Sequence, residues 1–440
     1  MRKTASILQK YFNSNYFIVI TYLFTIFCWV LENQNLAMIY YAIMGILIIL
    51  LDARRTNLIT LVMAGIINYR ETTFEANVGI IITIVIIAAP VLIYDIIKTK
   101  LNYKNPIFLA LLLFLLANTL SIVNITNDTL LLWAVGVAQV VAFAFIFLYF
   151  FTHKHSESQE YVGKNALALG LSIAFQFFMY MISYEGEAIG KDIHLGWGIS
   201  NSIAMTLLMV IPLTIFLYIN NQNKSYILIF IVLDILLIIL MLSKGAYITL
   251  AVIFIPLIII ALLFVENKRR MLFDGLISAI IFILLLIFVS QLNILSEGIV
   301  EYLSRMDSRG WFDDKARIEI YTYGFEIFKK FPLFGSGSYT SGYYLVQEGM
   351  SDRLKHYHNY IVQTLATLGI TGMASFIYFI FVAIKNTFKK YPYHLLVFIA
   401  ILAMLLHGLV DNTWHNPIVM VVITIYLSQL DTNESEKVSK

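Results

Sequence analysis

The chain has 440 residues, 60% of them hydrophobic and 13% charged, with a formal net charge of +3. Soluble domains carry about 25% charged residues, so the composition excludes a water-soluble globular protein. No basic patch of the kind that binds nucleic acid stands out. Apolar runs long enough to cross roughly 30 Å of hydrocarbon as helix recur along the chain, whereas the short alternating segments of a membrane β-barrel do not. In chain order, hydropathy predicts spans at about 15–32, 36–52, 57–68, 77–97, 105–123, 129–151, 163–184, 199–219, 225–242, 246–265, 271–292, 357–384, 393–410 and 416–431. The third is short and reads as a re-entrant or broken segment, which puts the expected count at about 12 to 14.

The fold class expected is therefore an all-α polytopic membrane bundle. Its predicted organisation is a multi-span region at 1–292, a long loop at 293–355, further spans at 356–431 and a polar tail at 432–440. Basic residues precede the first apolar run, and no small-residue cleavage site follows Trp29 to Asn33, so that span is expected to be retained. Cys28, the only cysteine, lies inside it and excludes an intrachain disulfide.

Alternate connections hold 19 Lys or Arg, from Arg2, Lys3 and Lys10 through Arg54 and Arg55 to Lys437 and Lys440. The other short connections hold only Arg70, Lys191 and Lys244. The positive-inside rule thus puts both termini in the cytoplasm and the 293–355 loop outside. Within that loop, 316–331 places Ile318, Tyr321, Phe325 and Phe328 opposite Arg317, Glu319 and Lys330, the pattern of a helix lying on a membrane surface. Phe331-Pro-Leu-Phe-Gly-Ser-Gly ends it in a turn.

On this topology one face gathers Lys191, Asp192, His194, Trp197, Asn201, Ser243, Lys244, Arg305, Arg309, Arg317, His356, His358, Asn359, Asp411 and His415. A carrier more often places its ligands near the midplane on broken helices, so the pattern points to chemistry at the outer interface. Plainer readings exist for each group. Arg305, Arg309 and Arg317 can pair with lipid phosphate or with Asp307, Asp313, Asp314 and Glu319. His358-Asn359 can cap a helix, and Lys244 can snorkel to head groups. His356 and His358, two apart on a helix, would point to nearly opposite sides, so one of them at most would face a site. Asp234, near the middle of a span, is a functional candidate or a protonated acid bonded to a neighbouring helix; Gln139 and Gln176 read as inter-helix hydrogen bonders. No HExxH, external DxD pair or cysteine partner supports a metal site, and no GxSxG supports a serine hydrolase.

Read in order, WGISNSIAMTL (197–207), LMLSKGAYITL (240–250), ARIEIYTYGFEIFKKFPLFGSGSY (316–339), HYHNYIVQTLATLGITGM (356–373) and HGLVDNTWHNP (407–417) resemble the O-antigen ligase and Wzy-type polymerase family. The resemblance implies a GT-C-like, many-span inner-membrane glycosyltransferase with a long external loop, whose donor is a glycan on polyprenyl diphosphate. It lays Arg317 on the family's loop arginine, His358 on the histidine of its His-Asn pair, Asn201 on its asparagine before a small residue, Ser243-Lys244-Gly245 on a Ser-Arg-Gly turn, and Asp411 on an acid in the penultimate external connection. The chain departs from the family in having Lys244 for an arginine, Thr367 for a common glutamate, and Ile199-Ser200 for Asn-Pro.

The chemistry implied is metal-independent transfer without a cofactor. Cleaving a sugar–diphosphate bond develops phosphate charge, which Arg317 and Lys244 would balance with help from Arg305 and Arg309. His358, with His356 second, would take the proton of the attacking hydroxyl, and Asn201, Ser243, Asn359 and Asp411 would contact substrate. Expected partners are the lipid-linked donor, a glycan acceptor and membrane lipid, with a flippase and a chain-length regulator alongside. The product is a surface polysaccharide if the protein is a polymerase, or glycan moved to a lipid A core or other surface acceptor if it is a ligase. A third option within the family glycosylates proteins, and the reading from another class is a transporter or flippase of lipid-linked glycan.

Overall fold

The computed structural model describes residues 2–69, 74–184, 193–221, 224–309, 315–350, 355–413 and 416–431, apart from the side chains at 2–3, 74–82, 84–85, 293–294, 305–309 and 316. Among the described residues the architecture is all-helical. In order the helices are α1 (Arg2–Phe12), α2 (Asn15–Val30), α3 (Gln34–Leu50), α4 (Leu58–Ile66), α5 (Phe74–Thr99), α6 (Pro106–Leu120), α7 (Leu130–Thr152), α8 (Ser158–Ser183) and α9 (Ser200–Asn220). There follow α10 (Tyr226–Leu240), α11 (Lys244–Phe264), α12 (Lys268–Ser290), α13 (Asn293–Arg309), α14 (Lys315–Lys330), α15 (Ser341–Gln347), α16 (Tyr360–Thr387), α17 (Pro392–Gly408) and α18 (Pro417–Ser428).

Each of the predicted spans falls on one of these helices. Among the described residues, seven helices are long and apolar enough to cross a membrane, and the pair α1–α2, bent by 74°, adds an eighth only when counted as one broken span. Five further apolar segments run 10–17 residues. The third predicted span falls on the nine-residue α4, which a single 3-10 turn at Arg55–Asn57 leads into without a gap, so it is a short continuous segment.

The chain groups into two units. The first comprises Met1–Leu101, Tyr149–Ser243 and Leu257–Leu303. Its centre is α9, buried continuously from Ile203 to Ile219 and packed on α8 and α10; a helix apolar all round belongs in an interior. Asp95 of α5 is fully buried and is held by Arg55 at 2.7 Å and by the Tyr149 hydroxyl at 2.6 Å, so its charge is paired. Gln176 is the inter-helix hydrogen bonder its position suggested: its amide donates to the Ile67 carbonyl and its oxygen accepts from the Trp197 indole, both at 2.8 Å. Asp234 packs over Gly170, where a Cβ would stand 2.8 Å from both carboxyl oxygens.

The second unit comprises Asn102–Leu148, Lys244–Pro256 and Ser304–Lys440. Its organising element is α16, which packs on α6, α14 and α17. α16 is broken at Gly369 (φ 65°, ψ −161°), a backbone conformation that suits glycine alone. A break inside an apolar helix frees peptide groups that must find partners, and the Pro332–Gly337 turn supplies them. Ser336 and Gly337 N–H donate to the Ala366 and Thr367 carbonyls at 2.9 and 3.0 Å, while Ile370 and Thr371 N–H donate to the Pro332 and Leu333 carbonyls at 2.9 and 3.2 Å. The turn is also held from the other side, because Asn124 donates to the Gly335 carbonyl at 2.7 Å and Ser338 donates to Asn118 at 2.8 Å. Two motifs far apart in sequence, Pro-Leu-Phe-Gly-Ser-Gly and Gly-Ile-Thr-Gly, are therefore one joint.

α14 packs on the rest of its unit through a second apolar face. Ile320, Tyr323 and Ile327 are buried against Leu345, Tyr357, Val362 and Ala366, whereas Ile318 and Phe325 are exposed. The helix is apolar on two sides, and the side it packs on α16 is not the one hydropathy singles out.

Candidate active site

The segment before α16 positions the two histidines. Residues 355–359 are not helical, so the opposite-sides argument for His356 and His358 does not apply. Asn359 is the N-cap of α16, its side-chain oxygen accepting from Ile361 and Val362 N–H at 2.9 and 3.2 Å, and its amide donating to the Leu409 carbonyl at 2.8 Å. The capping reading thus holds for Asn359. The histidine beside it does something else. His358 has a positive φ of 50° and turns its Nδ1 to within 3.3 Å of Asp411 Oδ1. His358 and Asp411 keep 29% and 20% of their side-chain surface exposed, so the pair is open to a ligand.

Burial alone would raise the Asp411 carboxyl, but the His358 hydrogen bond, the charges of His407 and His358 and the Asn412 amide together hold it well below the usual carboxylate range. It stays ionised, and the His358 nitrogen facing it is the protonated one, which leaves Nε2 as the acceptor.

His356 lies edge-on to Tyr339, ring centroids 5.8 Å apart. Burial, reinforced by His358, lowers it to about 4. Its free-chain value of 6.5 is higher, so the unfolded chain takes the proton first. The neutral ring's contribution is complete above about pH 6.5 and is lost progressively towards pH 4. Asp411, depressed from 3.8, keeps its contribution through that window and loses it only in stronger acid. Thermal melting of the protein in nanodiscs should therefore fall between pH 6.5 and 4, and His356→Gln should flatten the dependence there; an unchanged slope in the variant would place its origin elsewhere.

Arg317 is partly buried in the first turn of α14. One turn on, the Tyr321 hydroxyl donates to the His358 carbonyl at 3.1 Å, which ties Arg317's helix to the histidine. Lys244 opens α11, and the adjacent Gly245 packs on α17, where a Cβ would stand 3.5 Å from the His407 ring. His407 in turn lies within electrostatic reach of both Asp411 and Arg317. This unit thus brings Arg317, His356, His358, Asn359, Asp411 and Lys244 to neighbouring positions around the heads of α14, α16 and α11 and the end of α17.

Asn201, at the start of α9, and Ser243, buried, belong to the other unit. The side chains of Arg305 and Arg309 in α13 lie outside the described residues, as do Lys191, Asp192 and His415. Among the described residues no three of His, Cys, Asp or Glu gather as a set that could hold a metal ion.

Two neighbours of the site carry signals that hydropathy alone passes over. Tyr321 follows Arg317 by four, the spacing of one helical face, and in the sequence reads only as apolar. His407 precedes Asp411 by four and is 1% exposed, with neither ring nitrogen meeting a hydrogen-bond partner among the described residues.

No curated protein matches the chain. Residues 229–377, which hold Lys244, Arg317, the loop-to-α16 joint and His358, match the family model described as O-Antigen ligase, in agreement with the resemblance to the O-antigen ligase and Wzy-type family.

Proposed function

We propose that the protein is a polymerase joining polyprenyl-diphosphate-linked repeat units of a surface polysaccharide at the external face of the cytoplasmic membrane, with both termini inside and the 293–355 loop outside. The observation that carries this reading is the His358–Asp411 pair held beside Arg317's helix. In the step proposed, an acceptor sugar hydroxyl attacks the anomeric carbon of the donor. The bond from that carbon to the diphosphate oxygen breaks, polyprenyl diphosphate leaves, and the hydroxyl proton passes to His358 Nε2. Asp411 fixes the tautomer and balances the imidazolium that forms. Arg317 and Lys244, with Arg305 and Arg309 in the same loop region, offset the charge developing on the diphosphate in a poorly hydrated site. Asn201 and Ser243 are proposed as further substrate contacts.

The same step serves a ligase that moves finished glycan to a lipid A core or other surface acceptor, and the product separates the two. Deleting the gene and resolving the surface glycan on a gel should leave single-repeat product. Long lipid-linked chains left unattached would instead establish a ligase, and unchanged glycan would remove both. The proposed partners are the lipid-linked donor, the glycan acceptor and membrane lipid, with a flippase supplying the donor and a chain-length regulator acting on the product.

A further inference from the structure

We propose that Tyr321 is a positioning residue for the transfer: its hydroxyl holds the His358 backbone in the left-handed conformation from which the imidazole meets Asp411. The inference rests on reading His358 as the base.

A non-glycine residue at positive φ is disfavoured by its own Cβ and persists only where its surroundings hold it. His358, at φ 50°, is gripped at three points. Tyr321 donates to its carbonyl at 3.1 Å. The next residue, Asn359, is fixed by the α16 cap and by the Leu409 carbonyl. The ring itself meets Asp411 at 3.3 Å. The cap and the Leu409 bond restrain the neighbouring residue, and Asp411 restrains the ring once it has arrived. Of these contacts only the Tyr321 bond acts on the carbonyl of His358 itself. It also originates on α14 one turn from Arg317, so it sets cation and base in register.

Phenylalanine at position 321 would keep the ring's packing and remove the donor. The His358 carbonyl then loses its partner, its peptide can relax to an extended conformation, and the imidazole swings off Asp411. α14 contains a matched control, because the Tyr323 hydroxyl donates to the Tyr344 carbonyl at 3.0 Å without touching His358.

The test uses the full chain in nanodiscs, titrated with lipid-linked glycan extracted from a strain lacking the gene. Tyr321→Phe should lower kcat about 10- to 30-fold with KM within about threefold, and Tyr323→Phe should leave both within about twofold. In ¹⁵N-histidine spectra, the signal lost in His358→Gln should report an Nδ1-protonated ring in the wild type and a mixture of tautomers in Tyr321→Phe. A wild-type kcat and an unchanged tautomer in Tyr321→Phe would overturn the inference, as would an equal loss in Tyr323→Phe. Retained transfer in His358→Gln would instead remove the base, a separate failure visible in the same experiment.

Discussion

Replacing His358 with glutamine is expected to lower glycan transfer by about 10²- to 10⁴-fold, the range by which a positioned general base contributes. The protein should accumulate normally. His358 is partly exposed, and its ring bonds to Asp411, while the α16 cap belongs to Asn359 and survives the change. Glutamine can still donate towards Asp411 but cannot accept a proton at neutral pH, so binding of the donor should persist while turnover is lost. The measurement is glycan length and amount at equal membrane protein level, with donor binding followed in parallel. Normal glycan in this variant would remove His358 from the proton-transfer role, even with the match to the O-Antigen ligase model intact.

The largest structural effect is expected from Gly369→Ala. The backbone there is at φ 65°, ψ −161°, and a Cβ would stand 2.5 Å from both the carbonyl carbon and oxygen of Leu333. Relief requires the turn to leave the break, which exposes the carbonyls of Ala366 and Thr367 and the amides of Ile370 and Thr371 inside an apolar unit. Strain of about 1–3 kcal/mol for the backbone adds to about 1–3 kcal/mol for each polar group left unpaired. Little folded protein should reach the membrane. Gly275→Ala is the control: it lies in α12 with nothing within 4 Å of a Cβ, and alanine is the better helix former. Equal accumulation of the two variants would show that the turn does not depend on the break.

Much of this architecture is written in local pattern. The span positions emerge from hydropathy because a lipid-spanning helix must satisfy its backbone internally and present apolar side chains over a fixed length. The family resemblance leads one to expect Arg317, His358 and Asp411 at one site; the structure bonds Tyr321 of α14 to the His358 carbonyl and His358 to Asp411. Features that local pattern misses depend on contacts between distant segments. The Gly369 break reads in sequence as a small residue in a helix; its meaning comes from Pro332 and Leu333, more than thirty residues earlier. Local pattern does not show which side of α14 packs on protein, because Ile318 and Ile320 are equally apolar and only the position of α16 decides between them. Helical spacing likewise misdirects the two histidines, since Asn359 starts the helix after them and their directions are set outside it.

The joint between the 332–337 turn and α16 has a mechanical consequence. Stitched on both sides of the break and anchored again to Asn118 and Asn124, it locks the turn that follows α14 to the middle of α16. The joint is an anvil under the head of α16, and on the polymerase reading proposed above, a site carried on it would meet the same terminal ring whether the polymer is short or long. Nothing in such an anvil counts, so on that same reading a ruler for product size would act from beyond it.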